Sequence, residues 1–436
     1  MIAAKRLSKM GFGLSLALPL TLSLMAQSTT ADANELGIDF DVELGLSGFK
    51  RQGDTPINPD MAFVPSNANQ SWAFINAQYN QFWQDIEVNL QPSLKLNYDF
   101  NGKQQPDYQR KYDSQVFWSN SYVKWHGLEN HEFMLGRQNE EIGSGYAWNP
   151  SHPRFDIRLN ERDSANKFRK SGDATAQWQR FDNHGYWQLQ WSEHQSYPNN
   201  GQGEHDIWSL RRQLLLDKSE MTFTVAKVNG SAFAGFDFSW TVTDELEFHT
   251  ELAHKEQSRV WHNSHLIYND IDVIYYQQPS KDKYANALVG FQYTFEDLTN
   301  VIVEYFYQQD GYDQPQWQLL TDQIDYAQVL FEQQDHNSAA AAGFLANTHN
   351  YLRYLRRQYL FMRLSTPELI EDADSAFFSR VNLDDDSYIL GASIDYNLND
   401  NLDLGLSLQS NHGATYSESA WIPEKQRIDL VLKYTF

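Results

Sequence analysis

Apolar and polar residues alternate with a period of two along much of this chain. From Glu35 to Ser47 the even positions hold large apolar residues, and the odd positions hold acids, glycines and a serine. The alternation lasts about a dozen residues, longer than the usual strand of roughly 5–6 residues, and it suits the roughly 9–11 residues that cross a bilayer at a tilt. The pattern therefore predicts long β-strands with one apolar face.

The same alternation recurs along the sequence and predicts 18 strands. They cover residues 36–49, 72–83, 86–100, 114–126, 131–138, 173–182, 186–194, 206–216, 219–229, 231–241, 246–256, 284–295, 300–309, 352–364, 375–383, 387–397, 401–411 and 425–436.

The connections between these strands sort by length. At one end they are short turns rich in Asn, Asp and Gly, apart from a longer one at 365–375. At the other end lie the long segments 50–71, 139–172, 257–283, 310–351 and 412–424. Outer-membrane barrels have short periplasmic turns and longer extracellular loops. The predicted fold class is therefore all-β, a transmembrane antiparallel β-barrel of about 18 strands in the cell outer membrane, with a water-soluble β-protein as the alternative.

The N-terminus predicts export. Three basic residues precede the apolar stretch 11–26, and small residues at 31–33 fit a cleavage site, so we expect a signal peptide at 1–33 and a mature barrel at 34–436. An uncleaved membrane anchor is the alternative. The sequence contains no cysteine, and an exported chain of this length then folds without disulfides.

Charge and composition exclude several classes of function. The formal net charge is -23, and removing a leader of net charge +2 makes it -25, which argues against nucleic acid as a partner. Mean hydropathy is -0.62, so hydropathy alone does not reveal a membrane protein. Aromatic residues make up 14% of the chain, which excludes a disordered acidic polymer. They concentrate at predicted strand ends, as in the two aromatic girdles of a membrane barrel.

Successive side chains of a strand point to opposite faces of the sheet. If the apolar side chains contact lipid, the polar side chains that alternate with them face the lumen. A barrel of about 18 strands is too wide for side chains to fill, so a water-filled passage follows. Rings of charge select ions in pores, although charge ladders also stabilise barrel walls, and either role suits any one of these residues. The predicted pore-lining residues are Asp39, Asp41, Glu43, Glu87, Lys95, Arg211, Glu251, Glu304, Arg353, Arg357, Arg380 and Arg427; Asp237, Glu247, Asp395, Asp403, Arg363 and Lys433 share that parity.

The stretch from Phe133 to Asp163 contains a strand ending in Gly-Arg-Gln and a loop with glycines, a tryptophan, prolines and arginines. In this it resembles the alginate-export-type outer-membrane porins, over roughly residues 114–181. The resemblance implies a wide Gram-negative barrel with an inward constriction loop at 139–172. It assigns to that strand end and loop Arg137, Gln138, Trp148, Asp156 and Arg158.

The resemblance leaves the solute open, because an alginate exporter is expected to have a strongly basic lumen and this chain mixes acids and bases. We therefore predict a non-enzymatic outer-membrane channel for passive passage of polar solutes, among them anionic solutes or saccharides. No motif indicates a metal or cofactor. Phe436 is the expected contact with the barrel-assembly machinery, and outer-membrane lipid is the expected partner of the apolar face.

Two alternatives stay open. Ser410 and His412 could belong to a lipase-like barrel enzyme, although a rim histidine explains them as well, because a triad is recognised by geometry and roles. A closed structural or adhesive barrel would use residues 310–351 as a plug. The spacing of Ala, Leu and Phe there favours a helix, and an exposed loop is the other interpretation.

Overall fold

The computed structural model describes residues 38–51, 55–62, 69–100, 112–140, 143–154, 172–195, 204–277, 280–334, 336–351, 354–422 and 424–436. The predicted signal peptide lies outside these residues.

Strands in which apolar and polar residues alternate form a single antiparallel sheet of twenty strand segments. A separate hairpin consists of β14 and β15. The strands are β1 (Ile38–Arg51), β2 (Asn69–Trp83), β3 (Ile86–Leu90), β4 (Pro92–Phe100), β5 (Tyr112–Trp118), β6 (Ser121–Leu128), β7 (His131–Gln138), β8 (Asp173–Asp182), β9 (Gly185–Gln195), β10 (Glu204–Leu216), β11 (Ser219–Val228), β12 (Ser231–Thr241), β13 (Leu246–Gln257), β14 (His262–Tyr268), β15 (Ile271–Gln277), β16 (Ser280–Thr294), β17 (Asn300–Gln308), β18 (Gln358–Ile370), β19 (Ala373–Asn382), β20 (Tyr388–Asn399), β21 (Leu402–His412) and β22 (Glu424–Thr435).

The sheet closes into a barrel of 18 strands, as the alternation predicts. β3 and β4 run along the same neighbour, β2, and only Gln91 separates them. β5 and β6 continue one another in the same way. β1 pairs with β22 in antiparallel register, from Asp41 opposite Thr435 to Arg51 opposite Glu424. Within the described residues, this closure leaves the barrel sheet without a free edge.

The outer surface of the barrel is apolar. Side chains such as Leu135, Val225 and Leu252 are about half or more exposed although they are apolar, which a closed barrel tolerates when lipid surrounds it. Aromatic residues at the short-turn end are exposed on the same face, as predicted for a girdle at the membrane interface: Trp240, Phe295, Tyr396 and Tyr434.

The C-terminal residue belongs to this girdle. The Phe436 amide donates to the Phe40 carbonyl at 3.0 Å, and its ring lies edge-on against Tyr434 at 4.5 Å. The contact of Phe436 with the assembly machinery stays a prediction.

Two predicted boundaries around β18 are wrong. The strand begins at Gln358 instead of residue 352, because Tyr354 adopts a left-handed backbone conformation (φ 51°) that breaks the extended chain. The inner connection is a tight turn instead of the loop 365–375, because β18 continues to Ile370 and β19 begins at Ala373. Pro367 interrupts the ladder there, and the pairing shifts register between Thr366 and Ile370.

Two helices occupy the long segment after β17, as the apolar spacing predicts. They are α1 (Gln314–Gln333) and α2 (Ser338–Tyr351). Asp313 caps α1 in a capping box with Gln316, and Gln334 ends it in a left-handed conformation. No helix in the described part of the chain is long and apolar enough to cross a membrane.

Several long loops pack together with these helices into one extracellular cap. We use the name cap for the hairpin β14–β15, α1, α2, the 3-10 helix Glu418–Trp421 and residues 55–62. Their shared core includes Ile57, Tyr276, Leu320, Phe344 and Trp421, all nearly or fully buried. The described residues of the segment 310–351 are therefore folded and contribute to the shared apolar core of the cap.

A buried carboxyl connects the cap to the barrel rim. Glu418 accepts hydrogen bonds from the Leu355 amide (2.8 Å), the Tyr359 hydroxyl (2.7 Å) and the Asn382 amide group (2.9 Å). Burial raises the pKa of Glu418, and the nearby carboxylate of Asp385 raises that pKa further. The folded cap therefore favours the neutral form of this carboxyl.

We expect the cap to lose stability as the pH rises through the raised pKa of Glu418. An acid with a raised folded pKa contributes its full stability below the ordinary carboxyl pKa of about 4.3 and loses that contribution at higher pH. Hydrogen exchange of the cap amides should therefore be slower at about pH 5 than at about pH 8 after correction for intrinsic exchange rates. Glu418→Gln should flatten this difference, and an equal pH dependence in both proteins would contradict the assignment.

Candidate functional site: an inward segment held by wall carboxylates

The chain after β7 folds into the barrel. We call Gly143–Arg154 the inward segment. Trp148 is fully buried, and Ala147, Asn149, Ser151 and His152 are each less than 5% exposed. Since these residues lie among side chains of the inner wall, the predicted inward loop is present in the described residues.

Three carboxylates of the barrel wall hold the inward segment. They are Asp237 on β12, Glu251 on β13 and Glu304 on β17, and we call them the latch carboxylates. Asp237 accepts from the amide and the hydroxyl of Ser144, at 2.8 and 2.6 Å. Glu304 accepts from the amides of Tyr146 and Ala147. Each carboxylate thereby accepts hydrogen bonds from main-chain amides of the inward segment. These amides lie inside the lumen, where they have no β-strand partner.

Glu251 makes the largest number of contacts of the three. Its Oε1 accepts from the Gly145 amide at 2.8 Å and from the Asn149 side chain at 3.1 Å. Its Oε2 accepts from the amide and the hydroxyl of Ser151, at 3.0 and 2.8 Å. Gly143 lies against the same carboxylate with φ +97°, and a Cβ there would come within 2.4 Å of Glu251 Oε1. Glycine is therefore required at this position both for its backbone angle and for space.

A histidine supports one latch carboxylate from the wall. His249 Nε2 lies 2.9 Å from Glu304 Oε1, and both side chains are almost completely buried. The other end of the inward segment is fixed to β8, because Arg154 pairs with Asp173 and donates to the Glu140 carbonyl at 3.0 Å. The segment is thus tied to the inner wall at β8 as well as at β12, β13 and β17.

Trp148 lies inside the barrel beside the latch carboxylates. Its ring stacks on Phe306 with centroids 5.1 Å apart and meets Phe361 and Tyr354 edge-on at 6.2 and 5.9 Å. Tyr354 belongs to the chain between α2 and β18. The inward segment and the base of the cap therefore share one apolar cluster inside the barrel.

The predicted pore-lining acids of β1 lie on the polar wall near the closure. Asp41 accepts from the Asn76 side chain at 2.9 Å, and Glu43 lies opposite Lys433 in the register. Asp39 shares their lumen-facing parity. Arg427 pairs instead with Asp429 on its own strand at 2.8 Å and lies over the Phe49 ring, so it does not face the β1 acids directly.

Glu87 and Lys95 also occupy lumen-facing positions. Glu87 is 9% exposed, lies 3.6 Å from His126 and accepts from the Tyr122 hydroxyl at 3.2 Å. Lys95 lies opposite Phe74 and Gln115 in the sheet.

Arg211 and Arg380 contact groups inside the barrel. Arg211 binds Glu140 at 2.7 Å and Gln188 at 2.9 Å. Arg380 donates to the Tyr354 hydroxyl and lies 4.6 Å over that ring. Since both guanidinium groups hold inward-folded chain, they are partly structural.

Several predicted site residues lie elsewhere than expected. Arg357 precedes β18 and binds the Gly311 carbonyl (2.9 Å) and Asp313 (3.2 Å) at the base of the cap, because the strand begins later than predicted. Arg137 has the parity of the exposed Leu135 and donates to the Gly172 carbonyl, so it does not face the lumen. Gln138 has the lumen-facing parity. Arg353, Asp156 and Arg158 lie outside the described residues.

The pairing of Glu140 with Arg211 is a feature that the sequence did not reveal. Glu140 follows β7, in the strand-to-loop connection. Desolvation by burial raises its pKa, but Arg211 and then His152 lower it more, and the net pKa is about 2. The residues are 71 positions apart, and the pairing of β7 to β10 in consecutive order brings them together. The pair borders a polar cavity of about 310 Å³ below the inward segment.

The lipase-like alternative has partial geometric support. His412 Nε2 lies 2.9 Å from Ser410 Oγ, and the His412 ring stacks on Tyr388 at 4.9 Å. Within the described residues, no group binds Nδ1 of His412, which a third triad member would orient. No cluster of three or more His, Asp or Glu side chains suited to a metal occurs among the described residues.

Comparisons with known proteins establish the fold. No protein-family model matches the chain, and no curated protein matches it. Among solved structures, OccK11 (OpdR) of Pseudomonas aeruginosa is 9% identical and OccAB1 of Acinetobacter baumannii is 8% identical, each over 92% of this chain and 95% of that chain with a TM-score of 0.51. OpdK of P. aeruginosa in complex with vanillate is 7% identical over 92% and 98%, with a TM-score of 0.50.

At these identities the likeness is one of fold alone. The chain has the closed β-barrel fold of these outer-membrane proteins, and its apolar outer belt is the surface that such a barrel presents to lipid.

Proposed function

We propose that this protein is an outer-membrane channel for the passive passage of polar solutes. The observation that carries the proposal is the inward segment, which the latch carboxylates hold against one side of an 18-stranded barrel. Such a barrel is too wide for side chains to fill, and an anchored segment narrows it instead of leaving an open tube. The wall near the closure stays polar, with Asp41, Glu43 and Lys433 facing the lumen.

The proposed solute class is polar and includes anionic solutes and saccharides. The finer proposal of an alginate-export type rests on the sequence resemblance around Gly136, Arg137, Gln138 and Trp148. The inward position of Trp148 supports an inward loop of that kind. The outward parity of Arg137 and the mixed charges of the lumen weigh against passage of a polyuronate through a basic wall.

Planar-bilayer recordings test the channel and its selectivity together. We expect stepwise ion conductance from the purified protein. Lys433→Gln should shift the reversal potential in a salt gradient towards cation selectivity, because Glu43 and Asp403 both lie opposite Lys433 in the sheet and lose their counter-charge. Lys218→Gln, in an inner turn, is the control with the same charge change. Absence of conductance would contradict the proposed channel function. Equal reversal potentials in both variants would show that the wall charges around Lys433 do not determine ion selectivity.

The barrel enzyme is the second candidate, because Ser410 and His412 are within hydrogen-bond distance. Purified protein with and without His412→Ala would separate the two functions. Ester hydrolysis that disappears in the variant would favour the enzyme, whereas a channel predicts unchanged conductance.

A further inference from the structure

The polar cavity lies between the inward segment and the inner wall of strands β9 to β13. Gly143 and Ser144 border it on the side of the inward segment. Glu220 and Glu247 border it near the short-turn end of the barrel, since each is the second residue of its strand. Its volume of about 310 Å³ is at the small end of the range for ligand pockets, roughly 300–1,000 Å³.

The charges around the cavity do not balance. Among the described residues, four carboxylates and one guanidinium line it. The guanidinium of Arg211 is committed to Glu140 at 2.7 Å, and the low pKa of Glu140 keeps that pair ionised and neutral as a unit. Three carboxylates remain, so the cavity presents net negative charge.

Two of these three carboxylates are available to a ligand. Asp237 already accepts the amide and hydroxyl of Ser144. Within the described part of the chain, Glu220 accepts a hydrogen bond from Gln213 alone. Glu247 accepts no hydrogen bond from the described residues and is partly exposed. A carboxylate inside a narrow lumen gains most from a cationic donor.

The rest of the lining suits a hydroxylated molecule. Thr222 and Ser239 present hydroxyl groups, and Tyr186 adds an aromatic side chain. Arg211 is 3% exposed, and no described residue supplies a hydrogen-bond acceptor for its buried Nε. A ligand that offers neutral oxygen acceptors would satisfy this donor, whereas a ligand carboxylate would meet the three wall carboxylates.

We propose that this cavity binds a small hydroxylated organic cation of monosaccharide size, an aminated sugar being the simplest chemistry that fits. Its ammonium group would lie between Glu220 and Glu247, and its hydroxyl groups would meet Thr222, Ser239 and the Arg211 guanidinium. The inference rests on the proposed channel function and selects the cationic members of the polar solutes that the channel would pass.

Three sugars that differ mainly in charge test this proposal. Glucosamine, glucose and glucuronate are added in turn to the periplasmic side of the reconstituted channel, and the block of single-channel current is measured. We expect glucosamine to block at a concentration at least roughly tenfold below that of the other two, as the loss of a charged hydrogen bond would give. Equal block by glucose, or stronger block by glucuronate, would overturn the proposal and leave the channel intact.

Variants assign the block to this cavity. Glu247→Gln should weaken glucosamine block roughly tenfold, and Glu220→Gln should weaken it further. Glu247 has no described hydrogen-bond partner to lose, so this variant should fold. Asp403→Asn is the matched control, because Asp403 is also the second residue of its strand but lies on another wall, opposite Lys433. Equal weakening by the control would show that general lumen charge explains the block and would contradict a specific site.

Calorimetry on detergent-solubilised protein separates the two proposals. A heat of glucosamine binding that is lost in Glu247→Gln would support the proposed binding site even if no conductance is found. If conductance is found but neither heat nor block depends on Glu247, the channel stands and the binding site does not.

Discussion

Replacing Glu251 with glutamine should release the inward segment from the wall and raise the single-channel conductance. Glu251 accepts four hydrogen bonds from three residues, two on each oxygen. A glutamine has one oxygen and one NH2 group, so at least one backbone donor of the segment would face another donor. Hydrogen bonds to charged groups contribute about 1.5–3 kcal/mol each, and a donor left buried costs a similar amount.

The expected loss of about 3 kcal/mol changes the equilibrium between held and released segment by a factor of roughly one hundred. The measurement is conductance in planar bilayers, together with current noise as the segment moves. Glu87→Gln is the matched control, because Glu87 is a buried lumen acid that contacts the wall residues Tyr122 and His126. If both variants conduct like the unmodified protein, the carboxylate of Glu251 does not hold the segment.

Replacing Trp421 with alanine should unfold the cap and leave the barrel closed. Trp421 is fully buried, stacks on Trp317 with ring centroids 4.7 Å apart, and donates to the Thr415 carbonyl at 2.9 Å. Loss of a buried tryptophan typically costs about 3–5 kcal/mol. The apolar core of the cap is separate from the lipid-facing belt, so the loss falls on the cap alone.

Limited proteolysis of the protein in liposomes measures this effect. We expect rapid cleavage within α1 and α2, while the unheated protein keeps the gel mobility of a closed barrel. Trp240→Ala is the control, since Trp240 is 45% exposed at the inner girdle and lies far from the cap in the fold. A variant with an intact, protease-resistant cap would show that Trp421 is not central to its core.

The barrel fold was predictable because the features that determine it are local in the sequence. A period of two fixes which side chains face lipid, and the sorting of connection lengths fixes the strand direction, so 18 strands follow without any knowledge of contacts. The wrong strand boundaries occur where a contact with a residue distant in sequence overrides the local pattern. Tyr354 alternates like a strand residue, but Trp148 draws it into the lumen cluster. Pro367 looks like a turn residue, but the adjacent strand accommodates it with a register shift.

The candidate site was predictable only in part. Parity identified Glu251 and Glu304 as lumen-facing, but the donors that cover them are main-chain amides more than 90 positions away. Nothing in the residue types of Gly145 or Ala147 indicates such a contact. The resemblance located the inward loop and Trp148, whereas the Glu140–Arg211 pair and the cavity beside it required the closed barrel.

The composition of the cap core has a consequence for the order of folding. Ile57 follows the first strand, Trp421 precedes the last one, and the helices that join them come from the loop after β17. The two ends of the chain meet only when β22 pairs with β1, and contacts between residues so far apart in sequence form late. The cap can therefore fold completely only after the barrel has closed. A barrel in which β22 has not paired with β1 would present an unfolded, protease-sensitive surface outside the cell.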